Sequence, residues 1–345
     1  MRNVLLSIVG PTATGKTQFA LDLSNILAEE FHIFDVISAD SRQVYQGMEI
    51  GTGADIPPHF QKQQYDPSSV SNFVQPYFKR GAVRIHGVSI LKPNQEWSVA
   101  QFRDFTQNIM TSSWNGNGLP ILVGGTGLYH QHIFTHDQKI EIPPNDAVRQ
   151  HAERISLADL QRWLKETNAI KFESMNNSDR HNPRRLIRAI EIELASRTPL
   201  RQQKVHMEIA ADSSVIQHCM IGLTDSMEHI SQRIGERIKS RLGQGVLEEV
   251  QRLMTAYEET TWMEPAFSAT GCKEVRAYLE DKISYQQMQE LWQRREVQYA
   301  KRQLTWWKKQ NTIHWHAVHE ASWRDEAISQ IKRFLYTAKH AQNSQ

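Results

Sequence analysis

The run Val4-Leu5-Leu6-Ser7-Ile8-Val9 is apolar at five of six positions and closes on Gly10. Apolar residues with no alternation predict a parallel strand buried on both faces. Over residues 17–28 the period changes. Phe19, Leu23 and Ile26 recur at i, i+4 and i+7, which predicts a helix with one apolar stripe, opened by the glycine-rich turn before it. Phe34–Ser38, which ends at Asp40, and Leu119–Val123, which ends at Gly124-Gly125-Thr126-Gly127, repeat the strand pattern. Strands alternating with helices predict a parallel α/β sheet.

Between residues 57 and 95 the prolines at 57, 58, 67, 76 and 93 break any period, and the reading is loop with short strands. Lys139-Ile140-Glu141-Ile142-Pro143-Pro144 reads as a linker. Beyond it Ser156 with Asp159 forms a capping signal ahead of Leu157, Leu160 and Leu164. After Pro199 one more strand is expected, over Val215–Leu223. Asp225 with Glu228 then starts a helix carrying Ile230, Ile234 and Ile238, and Ser284 with Gln287 starts a long last helix to about Lys309. The expected organisation is a core over 1–132, a helical insertion over 133–200, the rest of the core over 201–330 and a tail over 331–345.

Composition excludes more than it assigns. The 345 residues carry Lys+Arg 40 against Asp+Glu 38, a net +2, so any basic surface must be local. Two cysteines, Cys219 and Cys272, cannot make a zinc site between them and fit a reducing compartment. Met1-Arg2-Asn3 leads straight into the first apolar run, unlike a signal peptide, and no stretch approaches the roughly 18 apolar residues of a membrane span. The expectation is a cytoplasmic protein without a membrane partner.

Gly10-Pro11-Thr12-Ala13-Thr14-Gly15-Lys16-Thr17 fits G-x-x-x-x-G-K-[ST] between the expected strand and the expected helix. In that setting successive N–H groups and the helix N-terminus converge on phosphate oxygens; Lys16 adds a charge and Thr17 can hold Mg²⁺. The alternative, a glycine turn that merely joins strand to helix, is disfavoured by the context. The loop does not say which phosphate it holds. A hydrolytic P-loop enzyme has a later apolar strand ending in an acid, whereas the run 119–123 ends in Gly124-Gly125-Thr126, which speaks against water-driven hydrolysis. Asp40, at the end of the second strand, should face the same crevice. It reads equally as a general base for a hydroxyl or an amine and as an Asx-type turn cap.

Four blocks carry a resemblance. Gly10–Thr17, Ser38-Ala39-Asp40-Ser41-Arg42-Gln43-Val44-Tyr45-Gln46-Gly47-Met48-Glu49-Ile50-Gly51-Thr52, Leu122-Val123-Gly124-Gly125-Thr126-Gly127-Leu128-Tyr129 and Tyr299-Ala300-Lys301-Arg302-Gln303-Leu304-Thr305-Trp306 resemble, in order, the signature blocks of the bacterial tRNA dimethylallyltransferase (tRNA isopentenyltransferase) family. The resemblance implies a P-loop NTPase-like α/β core with an inserted helical domain that closes over the anticodon stem-loop. It implies transfer of a dimethylallyl group from its diphosphate to N6 of the adenine 3′ of the anticodon. It also implies roles: Asp40, Lys16 and Thr126 in catalysis, and the loop residues Gly10 to Thr17 with Arg237 on the diphosphate. Asp40, Ser41, Arg42, Gln43, Thr126, Arg184, Arg185, Arg188, Lys273, Lys301, Arg302 and Gln303 are implied to contact tRNA. Mg²⁺ is the implied cofactor, at Thr17, and a monomer is expected. Although such loops are credited with ATP binding, diphosphate should compete far more strongly.

The residues fit the implied chemistry. Arg233, Arg237 and Arg241 share a helical face, as do Arg295, Tyr299, Arg302 and Trp306. A solvated basic stripe and core packing of the aromatics are the plainer readings of these rows. Gly271-Cys272-Lys273 departs from the family's usual Gly-Tyr step, so a ring is missing from a region implied to face tRNA. The rival readings are a P-loop small-molecule kinase, an adenylate isopentenyltransferase and a non-catalytic tRNA-binding protein. The arginine and aromatic clusters speak against the first two, and intact Lys16, Thr17 and Asp40 against the third.

Overall fold

The computed structural model describes residues 3–54, 56–63, 76–134, 137–197 and 216–342. Strands β1 (Val4–Val9), β2 (Ile33–Ser38), β3 (Gln61–Gln63), β4 (Tyr77–Arg80), β5 (Val83–His86), β6 (Gly118–Gly124), β7 (Gln217–Thr224) and β8 (Ile313–Ala317) form one sheet in the order β3-β4-β5-β2-β6-β1-β7-β8. The pairs β3/β4 and β4/β5 are antiparallel and every other pair is parallel. These three short strands lie within the segment read as loop with short strands; residues 64–75, with Pro67, are outside the described residues. The chain leaves β1, passes over one place and enters β2, and β6 later fills the gap. The carboxyl ends of β1, β6 and β2 therefore stand side by side, where ligands of open α/β sheets bind.

Period two distributes the strand residues between two cores. Leu5, Ile37 and Leu122 belong to one apolar cluster with Phe102, Phe105 and Trp292; Leu6, Ile8, Val36 and Ile121 belong to another with Phe19, Leu23 and Leu335. Helix α1 (Lys16–Ile26) buries Phe19 and Leu23, two of the three stripe residues read from the sequence, while Ile26 stays exposed. Helices α2 (Val99–Asn115) and α3 (Gly127–His132) flank β6 in the chain, and α2 carries a capping box of Ser98 and Gln101.

Residues Met1–Ile133 with Ser214–Gln345 form one compact unit and Phe134–Ser213 another. The second unit is helical: α4 (Leu157–Thr167) and α5 (Pro183–Arg197) bring Leu160, Leu164, Leu186 and Ile190 into its own core. Ser156 caps α4 through the Asp159 N–H, as the spacing predicts. The expected linker is in part a short helix, Gln138–Glu141, whose N-cap is Asp137.

In the first unit α6 (Met227–Gly243), α7 (Val246–Ala256), α8 (Cys272–Leu279), α9 (Tyr285–Trp307) and α10 (Trp323–Gln342) complete the chain. Helix α9 opens with the capping box of Ser284 and Gln287. Two expectations are corrected here. The cap of α6 is Ser226, which accepts from the His229 N–H, while the Asp225 carboxylate is engaged elsewhere. The segment from 331, read as a tail, continues α10 to Gln342 and buries Ile331, Leu335 and Ala338 completely. Their spacing of four and three was a helical stripe diluted by alanine and by basic residues on the other faces. The strand expected over Val215–Leu223 is β7, which begins at Gln217, while Val215 lies outside the described residues; β8 was not expected.

Of two histidines near β1, His130 is buried and His218 half-buried. His130 stacks edge-on against Trp307 at 5.0 Å, and the His218 Nε2 lies 2.8 Å from the Ser7 hydroxyl. Burial, with the charges of His218 and Lys16, pushes His130 from 6.5 down to about 3, and burial pushes His218 down to about 4. The folded state thus binds fewer protons than the unfolded chain below pH 6.5, and stability falls as the pH drops through that window. In His130→Leu the slope of unfolding free energy against pH, measured by urea denaturation between about pH 6 and pH 4, should shrink by up to about one proton.

Candidate active site

The glycine-rich loop leaves β1 at Gly10, where the backbone has no room for a side chain. A Cβ on Gly10, at φ 132°, would collide with the Leu223 carbonyl of β7. Ala13 and Gly15 take φ 61° and 78°, and Gly15 is the N-cap of α1 without a side-chain cap, which leaves the first-turn N–H groups to a ligand. Within the loop the Thr14 hydroxyl donates to the Pro11 carbonyl at 2.9 Å, and Lys16 Nζ donates to the same oxygen at 2.6 Å.

The loop is also held from outside. Gln303 Oε1, on α9, accepts the Thr12 N–H at 2.9 Å, and Arg237 donates to the Thr12 hydroxyl at 2.8 Å. Arg233 donates through Nε to the Ala13 carbonyl at 2.8 Å and through a terminal nitrogen to Asp225 at 2.7 Å. The third arginine of that row, Arg241, is buried and pairs with Glu296 at 3.4 Å, and Glu296 also accepts from Trp292 Nε1 at 3.0 Å. The row is therefore not a solvated stripe. Gln303, expected at tRNA, is buried on the loop; Arg233 was seen in the row without this role, which the spacing Arg233-Ile-Gly-Glu-Arg237 carried.

Asp40 unites both of its readings. Its Oδ1 accepts the Arg42 N–H at 2.8 Å, an Asx turn, and the residue lines one cavity of about 590 Å³ with Thr12, Ala13, Gly15, Lys16, Thr17, Gln43, Arg233, Arg237 and Gln303. The turn fixes the carboxylate at the mouth of the cleft. Gln43 accepts from the Ser38 hydroxyl at 2.7 Å and donates to the Gly53 carbonyl at 2.8 Å, so its amide is committed to the protein. Ser41 and Arg42 stand half-buried beside it. Thr126 is the residue before α3; its N–H donates to the Ala39 carbonyl at 3.3 Å and its hydroxyl is buried. The phenol of Tyr299 faces Thr126 and Gln303. Burial, aided by the Asp40 charge, raises Tyr299 far above the ordinary tyrosine range. The same causes raise Tyr129, whose ring stacks on Phe102 at 4.0 Å. Two un-ionised phenols thus flank the acid. Their motif blocks were visible in the sequence, but the approach to Asp40 was not.

The remaining basic residues are spread. Arg184, Lys273, Lys301 and Arg302 are exposed, and Arg302 sits over the Tyr299 ring at 5.8 Å. Arg185 is exposed but pairs with Asp179. Arg188 differs from the expected phosphate contact: it pairs with Glu191 at 3.1 Å and donates to the Lys139 and Ile142 carbonyls, holding its own unit together. Arg295 likewise pairs with buried Glu274. Cys272 is buried in the core, with burial pushing its thiol up to about 12, so the ring missing there is missing from packing and not from the surface.

A loop on a strand end, arginines braced against it and a carboxylate at the neighbouring strand end define a P-loop α/β enzyme with an acid beside its anion loop. The family model described as IPP transferase matches residues 43–310. The chain is 30% identical over 348 residues to the tRNA dimethylallyltransferase of Anoxybacillus flavithermus, covering 100% of both, and 32% identical to tRNA dimethylallyltransferase 1 of Azobacteroides pseudotrichonymphae, covering 95% and 97%. The tRNA isopentenylpyrophosphate transferase structure of Bacillus halodurans matches with TM-score 0.63 at 26% identity over 99% of each chain. A eukaryotic dimethylallyltransferase acting on tRNA shares the fold, with TM-score 0.69 at 20% identity over 99% of this chain and 80% of that one. The chain belongs to the IPP transferase family.

Gly124 closes the site geometrically, since a Cβ there would run into the Ala39 carbonyl just before Asp40. Gly124→Ala should destabilise the fold by about 1–3 kcal/mol in urea denaturation. Gly243→Ala, whose Cβ meets nothing within 4 Å, should not.

Proposed function

We propose that this chain transfers a dimethylallyl group from dimethylallyl diphosphate to N6 of the adenine 3′ of the anticodon in tRNA and releases diphosphate. The observation that carries the reading is the shared cavity, in which the loop, Lys16, Arg233 and Arg237 stand on the same walls as Asp40. The names of its relatives support the acceptor.

In the reaction the N6 nitrogen forms a bond to C1 of the dimethylallyl group as the C1–O bond to diphosphate breaks. The loop amides, Lys16 and Arg237 stabilise the charge that builds on the leaving diphosphate. Asp40 orients the exocyclic amine and takes its proton. The cavity wall offers hard oxygen donors, the Thr17 hydroxyl and the Asp40 carboxylate, and among the described residues no histidine or cysteine lines it, a set that suits Mg²⁺. Thr17 would hold the ion, which when bound neutralises diphosphate charge. The target base must leave its stack to reach Asp40, and Tyr129 and Tyr299 are the protein groups beside that acid. Exposed Arg184, Arg185, Lys273, Lys301 and Arg302 supply phosphate contacts for the anticodon stem-loop. The enzyme acts as a monomer in the cytoplasm.

Incubation with labelled dimethylallyl diphosphate and either tRNA or AMP tests the reading. Label should enter tRNA, and label in AMP alone would overturn it. Asp40→Asn should lower kcat by about 10²–10⁴-fold while the Kd for tRNA stays unchanged. Arg237→Ala should cost about 10²-fold or more in kcat/KM for the diphosphate substrate. Replacing Lys301 and Arg302 by alanine should lower the slope of log K for tRNA against log salt by about one to two, measured by filter binding across a salt series.

A further inference from the structure

The junction of β7 with α6 holds a second cluster that the transfer chemistry does not use. Asp225 follows β7, His229 lies in the first turn of α6, and His319 follows β8. The register brings them together: Thr224 pairs with Ala317, and the Val318 N–H donates to the Thr224 carbonyl at 2.8 Å. The Asp225 side chain is fully buried, whereas His229 and His319 are 48% and 49% exposed. Asp225 Oδ1 accepts from Nδ1 of His229 at 2.9 Å, from Nδ1 of His319 at 2.9 Å and from the Ser226 N–H at 2.7 Å. Its Oδ2 accepts from Arg233 at 2.7 Å. One carboxylate oxygen and two imidazole nitrogens, from three separate elements, all lie within 4.8 Å of one another.

We propose that Asp225, His229 and His319 form a three-ligand site for a borderline transition cation of the Zn²⁺ class, outside the lining of the diphosphate cleft and joined to it through Arg233. Two imidazole nitrogens and a carboxylate oxygen are donors that Zn²⁺ and Co²⁺ accept and that Mg²⁺ does not favour. Bonds of about 2.0 Å in tetrahedral array place ligand atoms about 3.3 Å apart, so the observed spacing opens by only a few tenths of an ångström on each histidine–aspartate edge. The half-exposed rings leave a route for entry and a position for water. On binding, each neutral imidazole moves its proton from Nδ1 to Nε2, and the ion takes the place of the two N–H donors now crowded on Oδ1. Arg233 and the Ser226 N–H are the outer partners that keep the carboxylate aimed. The plainer reading is a hydrogen-bonded hub in which one acid ties two surface histidines to the end of β7.

The test uses the full chain, stripped with EDTA and titrated with Co²⁺, then with Zn²⁺, by visible absorption and calorimetry. One equivalent of Co²⁺ per chain should bind with the absorption bands of a low-coordinate nitrogen and oxygen site, be displaced by Zn²⁺, and persist in excess Mg²⁺. His229→Asn and His319→Asn, which keep an N–H donor for Asp225, should each weaken binding by about tenfold or more. Circular dichroism and the melting curve of the stripped protein report whether each variant is folded. Absence of stoichiometric binding to the wild-type chain, or unchanged binding in both folded variants, overturns the site and leaves the hydrogen-bonded hub. The readout needs neither tRNA nor diphosphate, so its failure and that of the transferase reading are separable.

Discussion

An anion loop must keep its N–H groups free for a ligand and still hold its shape without one. Here the solution is one external acceptor on one loop amide: Gln303 Oε1 takes the Thr12 N–H, while Arg237 and Arg233 take the Thr12 hydroxyl and the Ala13 carbonyl. The arginines gain twice from this arrangement, since each fixes the loop and adds positive charge where an anion arrives.

Helix α9 shows how one element carries several such duties. Its buried polar residues, Glu296 and Gln303, lie seven positions apart on one face; one ties down Arg241 and Trp292, the other holds Thr12. Close backbone approach sets its position. A Cβ on Gly125 would strike the Gln303 amide, and one on Gly127 the Trp306 ring. The glycines after β6 are spaces for side chains from α9, and they also let β6 end beside Asp40. Burial of Trp292 and Trp307 anchors the helix with large apolar area.

Much of this was legible in the chain. The apolar runs gave β1, β2 and β6; the motif gave the loop; the capping signals gave α9 and α4. Asp40 was found at its strand end but left between two roles, because only coordinates show that an Asx turn and a cleft-facing carboxylate coexist. What the sequence withheld were long-range pairings. Nothing local marks Gln303 as an acceptor for Thr12, Arg188 as a brace for the carbonyls at 139 and 142, or Cys272 as a core residue. The C-terminal α10 was missed for a different reason, an apolar stripe thinned by alanine.

The order of the sheet has a consequence for biosynthesis. Strand β1 comes before every other strand in chain order, yet its two neighbours in the sheet are β6, ending at Gly124, and β7, ending at Thr224. Loop closure over such separations slows folding, and an unpaired apolar strand is prone to aggregate while it waits. In chain order Val4–Val9 gains one partner with β6 and its second only with β7, so both of its edges are covered only after the helical unit has been passed.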